Sequence, residues 1–272
     1  MGDDYGSTIV LTPDGSKLVI GCPGRNNKTG CVYVYSRVAN HWSLETILQA
    51  HNKQPNDWFG SSIAISANGT TIVVGANCKD NFTGQAYVFN KVKDAWSEGV
   101  SLDAAPGMPE DNFGWSIAIS ANGNVIAIGC PGKNHYTGTV IVFIKHHDEY
   151  RRSSRLTVSD SEANDHFGES LAISSDGSTI IVGADGKNDA VGAVFVCNLE
   201  PSLSHISVEK VLADLHSVSE DLIRLTMPTS DDIEEIIMSK FGYRKVYAKG
   251  DEMVFVKAGE AEKYATLVVT LI

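Results

Sequence analysis

The stretch Asp57-Trp58-Phe59-Gly60-Ser61-Ser62-Ile63-Ala64-Ile65-Ser66-Ala67-Asn68-Gly69, continued by Thr71-Ile72-Val73-Val74-Gly75-Ala76, decides the fold because the chain writes it four times. Gly6, Gly60, Gly114 and Gly168 stand 54 residues apart in sequence, each after an aromatic: Tyr5, Phe59, Phe113, Phe167. An acid precedes each aromatic by two positions: Asp3, Asp57, Asp111, Asp165. Three more glycine columns keep the same period, at Gly15/69/123/177, Gly21/75/129/183 and Gly30/84/138/192. A fixed period of this length is the signature of a repeat architecture.

Within each repeat four short strands are legible. In the first, Ile63 and Ile65 alternate with Ser62, Ala64 and Ser66, the period of two that a strand requires. It ends at Asp14-Gly15, Asn68-Gly69, Asn122-Gly123 or Asp176-Gly177, dipeptides that tolerate positive φ at both centres of a tight hairpin turn. The second, Ile72 to Val74 and its equivalents, is apolar on both faces and so is expected to be buried on both. The third is Ala86 to Phe89, matched by Val32 to Tyr35, Val140 to Phe143 and Val194 to Cys197. The fourth is a more polar run, Trp42 to Leu48, Trp96 to Leu102 and Tyr150 to Leu156. Inner strands covered on both sides and an outer strand in water describe a propeller blade. The fold expected is mainly β, a β-propeller of four-stranded blades at residues 3–56, 57–110, 111–164 and 165–220.

Phe-Gly-x-Ser-x-Ala-Ile-Ser, a turn, then Val-Val-Gly-Ala or Ile-Gly-Cys-Pro, then Gly-x-x-Tyr-Val-Phe resembles the FG-GAP repeat of integrin α chains, over residues 3 to 200. The resemblance implies a recognition head whose partners bind the upper face, formed by the loops between strands two and three and between blades. Two departures stand out. The calcium loop that several such repeats carry in the first hairpin is replaced by Thr12-Pro13-Asp14-Gly15 or Ser66-Ala67-Asn68-Gly69. Calcium needs several oxygen ligands, so no metal and no cofactor is expected. Integrin propellers have seven blades, and this chain supplies four clear ones.

The remaining composition narrows the function. With 22 Lys and Arg against 33 Asp and Glu, the net charge of −11 disfavours nucleic acid and anionic membranes. No apolar stretch approaches the ~18 to 20 residues of a membrane span, and no basic-then-apolar leader opens the sequence. An intracellular or assembly-associated setting is the expectation. The five cysteines lack zinc or redox spacing and read as buried free thiols. No nucleophile elbow, phosphate loop or zinc signature occurs, so no enzyme is expected.

Residues that recur in all four repeats are assigned to blade geometry; the Asp3/57/111/165 column, for example, reads as local capping of each blade entry. Recognition is assigned to the loops between strands two and three, each holding a cation beside Asn or Asp. The candidates are Arg25, Asn27, Lys79, Asp80, Lys133, His135, Tyr136, Lys187 and Asp189. Trp58, Trp115 and His166 join them as aromatic anchors of the kind enriched in binding hot spots. The function expected is a non-enzymatic recognition or scaffold module for a protein partner, with a glycan as the other ligand class. The alternatives are a structural subunit of a larger assembly and, last, a hydrolase with a site in the channel.

The repeat fades after residue 200. A fourth strand for the last blade is expected within Ile206 to Leu212, and a new α+β segment at residues 221–272. There Leu222–Met227, Tyr243–Ala248, Met253–Lys257 and Tyr264–Ile272 read as strands, with a helix starting near Ser230 and stopping at Gly242. This segment is expected as a diverged fifth unit closing the ring, the alternative being a separate small domain with the ring completed by another chain.

Overall fold

The alternation in the repeats becomes sheet, and the apolar second strands lie at the centre of it. The structure, a computed structural model, describes residues 2–199, 223–227, 244–249, 252–258 and 264–271. Backbone contacts divide the chain into two compact units, Met1–Leu199 and Glu200–Ile272.

In the first unit the chain is mainly β, in four antiparallel sheets. The first joins β1 (Ile9–Leu11), β2 (Lys17–Cys22), β3 (Cys31–Val38) and β4 (His41–Leu48) in sequential order. The second holds β5 (Ser62–Ile65), β6 (Thr71–Ala76), β7 (Gln85–Val92) and a broken outer strand, β8 (Ala95–Trp96) plus β9 (Val100–Leu102). Trp96 to Leu102 is not one strand because Gly99 adopts φ 86° between the pieces. The third contains β10 (Ile117–Ile119), β11 (Val125–Cys130), β12 (Thr139–His146) and β13 (Glu149–Leu156). The fourth has β14 (Ser170–Ile173), β15 (Thr179–Ala184) and β16 (Ala193–Asn198). Its expected outer strand at Ile206 to Leu212 lies outside the described residues.

The sheets pack face on face in chain order, and three apolar clusters fill the layers. Val19, Val32 and Val34 of the first sheet meet Phe59, Ile72, Val74 and Phe89 of the second. Val73, Ala86 and Val88 on the other face of the second meet Phe113, Ile126, Ile128 and Phe143 of the third. Val125, Ala127, Val140 and Val142 then meet Phe167, Ile180 and Val182 of the fourth. One face of each sheet is therefore built from Val and Ala, and the face it meets carries the aromatics. That alternation of small and large side chains lets layers interlock at native density.

The first hairpin differs from its expected form. Only the glycine has positive φ (Gly15 66°, Gly69 67°, Gly123 78°, Gly177 81°); Asp14, Asn68, Asn122 and Asp176 keep ordinary backbone. The N–H of that glycine closes the turn, as in Gly69 N to Ser66 O at 2.9 Å, in a loop longer than the two-residue hairpin. The side chain explains why. Asn68 Oδ1 accepts from Ser66 Oγ at 2.7 Å and from the Thr70 N–H at 3.1 Å, an Asx arrangement that ties the side chain to the turn's own backbone. In the equivalent Asp14, hydrogen bonds from the Thr12 hydroxyl, the Ser16 N–H and the Ser16 hydroxyl hold the carboxyl down to about 2.

The second unit is described through its strands alone. β17 (Ile223–Met227) pairs in parallel with β20 (Tyr264–Leu271), β20 antiparallel with β19 (Glu252–Ala258), and β19 antiparallel with β18 (Arg244–Lys249). This order, β17-β20-β19-β18, is not the sequential order of the first four sheets. The helix expected between Ser230 and Gly242 lies outside the described residues. No helix of the described residues is long and apolar enough to cross a membrane.

Candidate functional site

Between the second and third strands of every repeat the chain makes one turn of left-handed helix. Asn26, Asn27 and Lys28 sit at φ 52°, 56° and 60°, and the same holds for Asp80-Asn81-Phe82, Asn134-His135-Tyr136 and Asn188-Asp189-Ala190. For L-residues this conformation costs about 1–2 kcal/mol each, least for Asn and Asp. Asn or Asp at the first position, and at the second in three of the four, is the local reason the sequence can fold this way.

The turn is held from two sides. Its carbonyls accept from the entry of the next repeat: Asn56 N to Asn27 O at 3.1 Å, Trp58 N to Lys28 O at 2.9 Å, Phe59 N to Thr29 O at 3.2 Å. The pattern repeats at Asn81, Phe82 and Thr83 and again at His135, Tyr136 and Thr137. From beneath, the lysine that opens the turn reaches inward. Lys79 Nζ lies 3.0 Å from Asp57 Oδ2, Lys133 Nζ 2.5 Å from Asp111 Oδ2, and Lys187 Nζ 3.0 Å from Asp165 Oδ2. The ammonium groups also donate to the carbonyls of Asn52, Pro106 and Asp160. The aspartates in turn accept from the backbone N–H groups of Gln54, Met108 and Glu162. At Asp165 that backbone bond, with the Lys187 ammonium, holds the carboxyl below its usual range.

This corrects the sequence reading at three residues. Lys79, Lys133 and Lys187 were expected to face a partner, and all three are buried in ion pairs. Asp57, Asp111 and Asp165 cap the entry as expected, but they also neutralise these lysines. The first repeat has Arg25 instead, whose guanidinium lies 5.6 Å from the Tyr33 ring centroid, and its Asp3 is exposed.

The other candidates reach the surface. Asn27, Asp80, His135, Tyr136, Asp189 and Trp115 are exposed, and Arg25, Trp58 and His166 are half-buried. Side chains pair across the first and third joints. Lys28 Nζ lies 5.2 Å from the Trp58 ring centroid, and Tyr136 meets His166 edge to face at 5.8 Å. His166 Nδ1 is 3.0 Å from Asp185 Oδ1, and Trp115 Nε1 donates to Glu169 Oε1 at 2.9 Å. Burial pushes the Glu169 carboxyl up despite that bond.

Trp58, Asp80 and Trp115 come together in one groove of about 980 Å3, which spans the two joints on either side of the second sheet. Lys28, Asn77, Cys78, Asn81 and Phe82, which sequence reasoning missed as site residues, line it too. Phe82 is exposed and contributes an aromatic face, while Cys78 is a neutral thiol, pushed up to about 11 by burial. Asn77 is the singular feature. It is buried, and its Oδ1 has no hydrogen-bond partner among the described residues. Its repeat equivalents are Pro23, Pro131 and Asp185, so a break in the column was the available signal. Aromatic faces beside a bare buried acceptor suit a ligand that presents an N–H donor next to an apolar group. Candidates Arg25, Asn27, Lys79, Lys133, His135, Tyr136, Lys187, Asp189 and His166 do not line this groove.

The FG-GAP repeat family model matches residues 42–89 and 150–197. Each match runs from an outer strand, across a joint, through three strands of the next sheet. Among solved structures, that of TolB from Acinetobacter baumannii is similar at a TM-score of 0.40 and 12% identity, over 97% of this chain and 57% of that one. This chain thus spans a little over half the length of that protein. No curated protein matches the chain. The two family-model matches are consistent with an FG-GAP repeat family.

Proposed function

We propose that the FG-GAP repeats form β-propeller blades and act as a non-enzymatic recognition module that binds a protein partner in the groove at Trp58, Phe82 and Trp115. The observation that carries this reading is Asn77 Oδ1, a buried acceptor without a partner among the described residues, in a groove walled by aromatics. An unmade hydrogen bond of this kind costs about 1–3 kcal/mol, and a backbone N–H from an inserted peptide segment would make it once the amide turns its oxygen into the groove. Trp, with Tyr and Arg, is enriched at protein-binding hot spots, where it combines large contact area with few rotatable bonds.

The test uses a benzophenone amino acid placed at position 82, with position 92 on an outer strand as control. Illumination in a cell extract is expected to give a discrete protein adduct from position 82 that disappears when Trp115→Ala and Asn77→Ala are added. Equal adducts from both positions, or adducts indifferent to those changes, would overturn the reading. Adducts confined to saccharide would replace the protein ligand by a glycan.

A further inference from the structure

Every joint in the first unit is built from the same matched parts. The left-handed turn offers three carbonyls, and the next entry supplies three N–H groups, from the residues at Asn56, Trp58 and Phe59 and their equivalents. Gly30, Gly84 and Gly138 bridge to Phe59, Phe113 and Phe167. Gly21, Gly75 and Gly129 lie against the carbonyls of Gly60, Gly114 and Gly168, so close that an added Cβ would stand 2.1–2.3 Å from the oxygen. Ser62 Oγ and Ser116 Oγ donate to Gly114 O and Gly168 O, both at 2.6 Å.

The fourth sheet carries the same parts with nothing against them among the described residues. Among the described residues, the carbonyls of Asp189, Ala190 and Val191 accept no hydrogen bond, and Ser170 Oγ donates none. Among the described residues, no backbone of another repeat approaches Gly183 or Gly192. A hollow of about 460 Å3 occupies that place, lined by Ser170, Gly183, Gly192 and Val194 among others. The small-residue face that is buried in the second and third sheets is here in water: Ile181 is 42%, Val194 72% and Val196 65% exposed.

The first sheet carries the complement. The N–H groups of Gly2, Asp4 and Tyr5, equivalents of those of Asn56, Trp58 and Phe59, donate no hydrogen bond among the described residues. Asp4 already has φ 54°, beside 58°, 56° and 57° at Trp58, Asn112 and His166. Its large-residue face is open, with Tyr5 52%, Ile9 60% and Leu11 54% exposed, where Phe59 and Ile63 are buried.

We propose that the fourth sheet of one copy of this chain and the first sheet of a second copy form the same joint, so that copies associate head to tail. The register follows from the repeat: Gly2 N to Asp189 O, Asp4 N to Ala190 O and Tyr5 N to Val191 O. Ser170 Oγ would donate to Gly6 O, and Tyr5 would fill the hollow against Gly183. Both halves are preformed, which limits the ordering cost of association. The contact is heterologous, so it extends into a ring if the rotation closes and into a filament if it does not.

Sedimentation velocity of the full chain over about a hundredfold range of concentration reads the association. The wild type is expected to exceed the mass of one chain as concentration rises. Val194→Lys, which places a charge in the joint, should weaken association at least about tenfold. Gly183→Ala should do the same, and in the free chain it meets only the rotatable Ser170 hydroxyl, so its folding serves as the control. Tyr5→Lys breaks the other half. Val194→Lys and Tyr5→Lys should each stay single alone and form a dimer when mixed, because each retains the half that the other lacks. A wild type at single-chain mass throughout, association unaltered by Gly183→Ala and Val194→Lys, or a mixture that stays single would overturn the proposal.

Discussion

Strands β6 and β15 have almost the same sequence and different surroundings. One reads Thr71-Ile72-Val73-Val74-Gly75-Ala76 and the other Thr179-Ile180-Ile181-Val182-Gly183-Ala184. All six residues of β6 are buried, whereas β15 alternates between buried and open positions. Val73 is packed among Phe113, Ile126 and Ile128 of the next sheet, and Ile181 has no such cluster. Strand formation is thus local to each repeat, while burial belongs to the array. A sheet that is apolar on both faces needs two neighbours, and the fourth sheet has one among the described residues.

The largest effect should come from the glycine at equivalent points of that comparison. Gly129→Ala drives a methyl to 2.1 Å from Gly168 O and 2.3 Å from Ser116 Oγ, and the carbonyl belongs to a paired backbone that cannot retreat. A loss above about 4 kcal/mol in urea unfolding is expected. Gly183→Ala meets only the Ser170 hydroxyl at 2.2 Å, which can rotate away, so less than about 1 kcal/mol is expected. Equal losses would mean that both strands are equally enclosed in solution.

The aromatic before each entry glycine sharpens the same contrast. Phe113 is fully buried, 6.2 Å from Phe143 in an edge-to-face pair. Phe113→Ala should cost about 3–5 kcal/mol. Its counterpart Tyr5 is exposed, and at dilutions where the chain is single Tyr5→Ala should cost under about 1 kcal/mol. Calorimetric midpoints of the two variants compare them directly.

The buried ion pairs divide the repeats in the same way. Asp111→Ala strands the Lys133 ammonium, which is buried with one carbonyl partner left, and about 3 kcal/mol should be lost. Replacing both, Asp111→Leu with Lys133→Met, should restore most of it, because no buried charge remains. Arg25→Met in the first repeat, where Asp3 is exposed, should fall within about 0.5 kcal/mol. A double-mutant cycle with no coupling between Asp111 and Lys133 would remove the pair from the account of the turn.

What was legible in the sequence was whatever each repeat says by itself. The inner strands could be read from Ile63, Val73 and Val88 because alternation is local, and aromatic-glycine pairs recur at a spacing no chance pattern would keep. The lysines were misread because a cation among Asn and Asp looks like a solvated loop. Yet Asp57/Lys79, Asp111/Lys133 and Asp165/Lys187 keep one spacing in three repeats, and opposite charges recurring together signal an internal pair. The left-handed turn was also within reach, since Asn26-Asn27, Asp80-Asn81 and Asn188-Asp189 are residue types that tolerate positive φ. The groove was not. Lys28, Phe82 and Trp115 come from three repeats, and only the stacking of sheets brings them together.

A smaller effect tests the outer edge where the first and second sheets meet. Glu45 accepts from Lys17 Nζ at 2.6 Å, Ser36 Oγ at 2.5 Å and Trp96 Nε1 at 2.9 Å, and pairs with Lys91 Nζ at 2.5 Å. Burial alone would push its carboxyl up, but the bonds from Lys17, Lys91, Ser36 and Trp96 together hold it down to about 2. A carboxylate with a depressed folded pKa stabilises fully above its unfolded value of 4.5, and that stabilisation fades as pH falls toward 2. Because the group is partly solvated, about 1–2 kcal/mol is expected rather than the full shift. Urea midpoints measured from pH 5 down to pH 2.5 should fall less steeply for Glu45→Gln than for the wild type. Parallel curves would show that the node contributes no linkage.

The smallest expected change carries an unusual sign. Asn77 holds the position where two other repeats have proline, and its Oδ1 is buried with no partner among the described residues. Removing an unsatisfied acceptor relieves a desolvation cost of about 1–3 kcal/mol, and truncation to alanine gives back part of that through lost packing. Asn77→Ala should therefore change stability by less than about 1 kcal/mol, with the midpoint moving up. The same change should weaken capture of the partner at position 82, because the acceptor that the partner completes is gone. Most surface-loop substitutions leave stability and binding both unaltered, and most core truncations lower both. Stability rising while binding falls is the signature of a group kept polar for a ligand. A clear drop in the midpoint would show that Oδ1 already has a partner in the free chain, and the groove would lose the acceptor on which its role as a binding site rests.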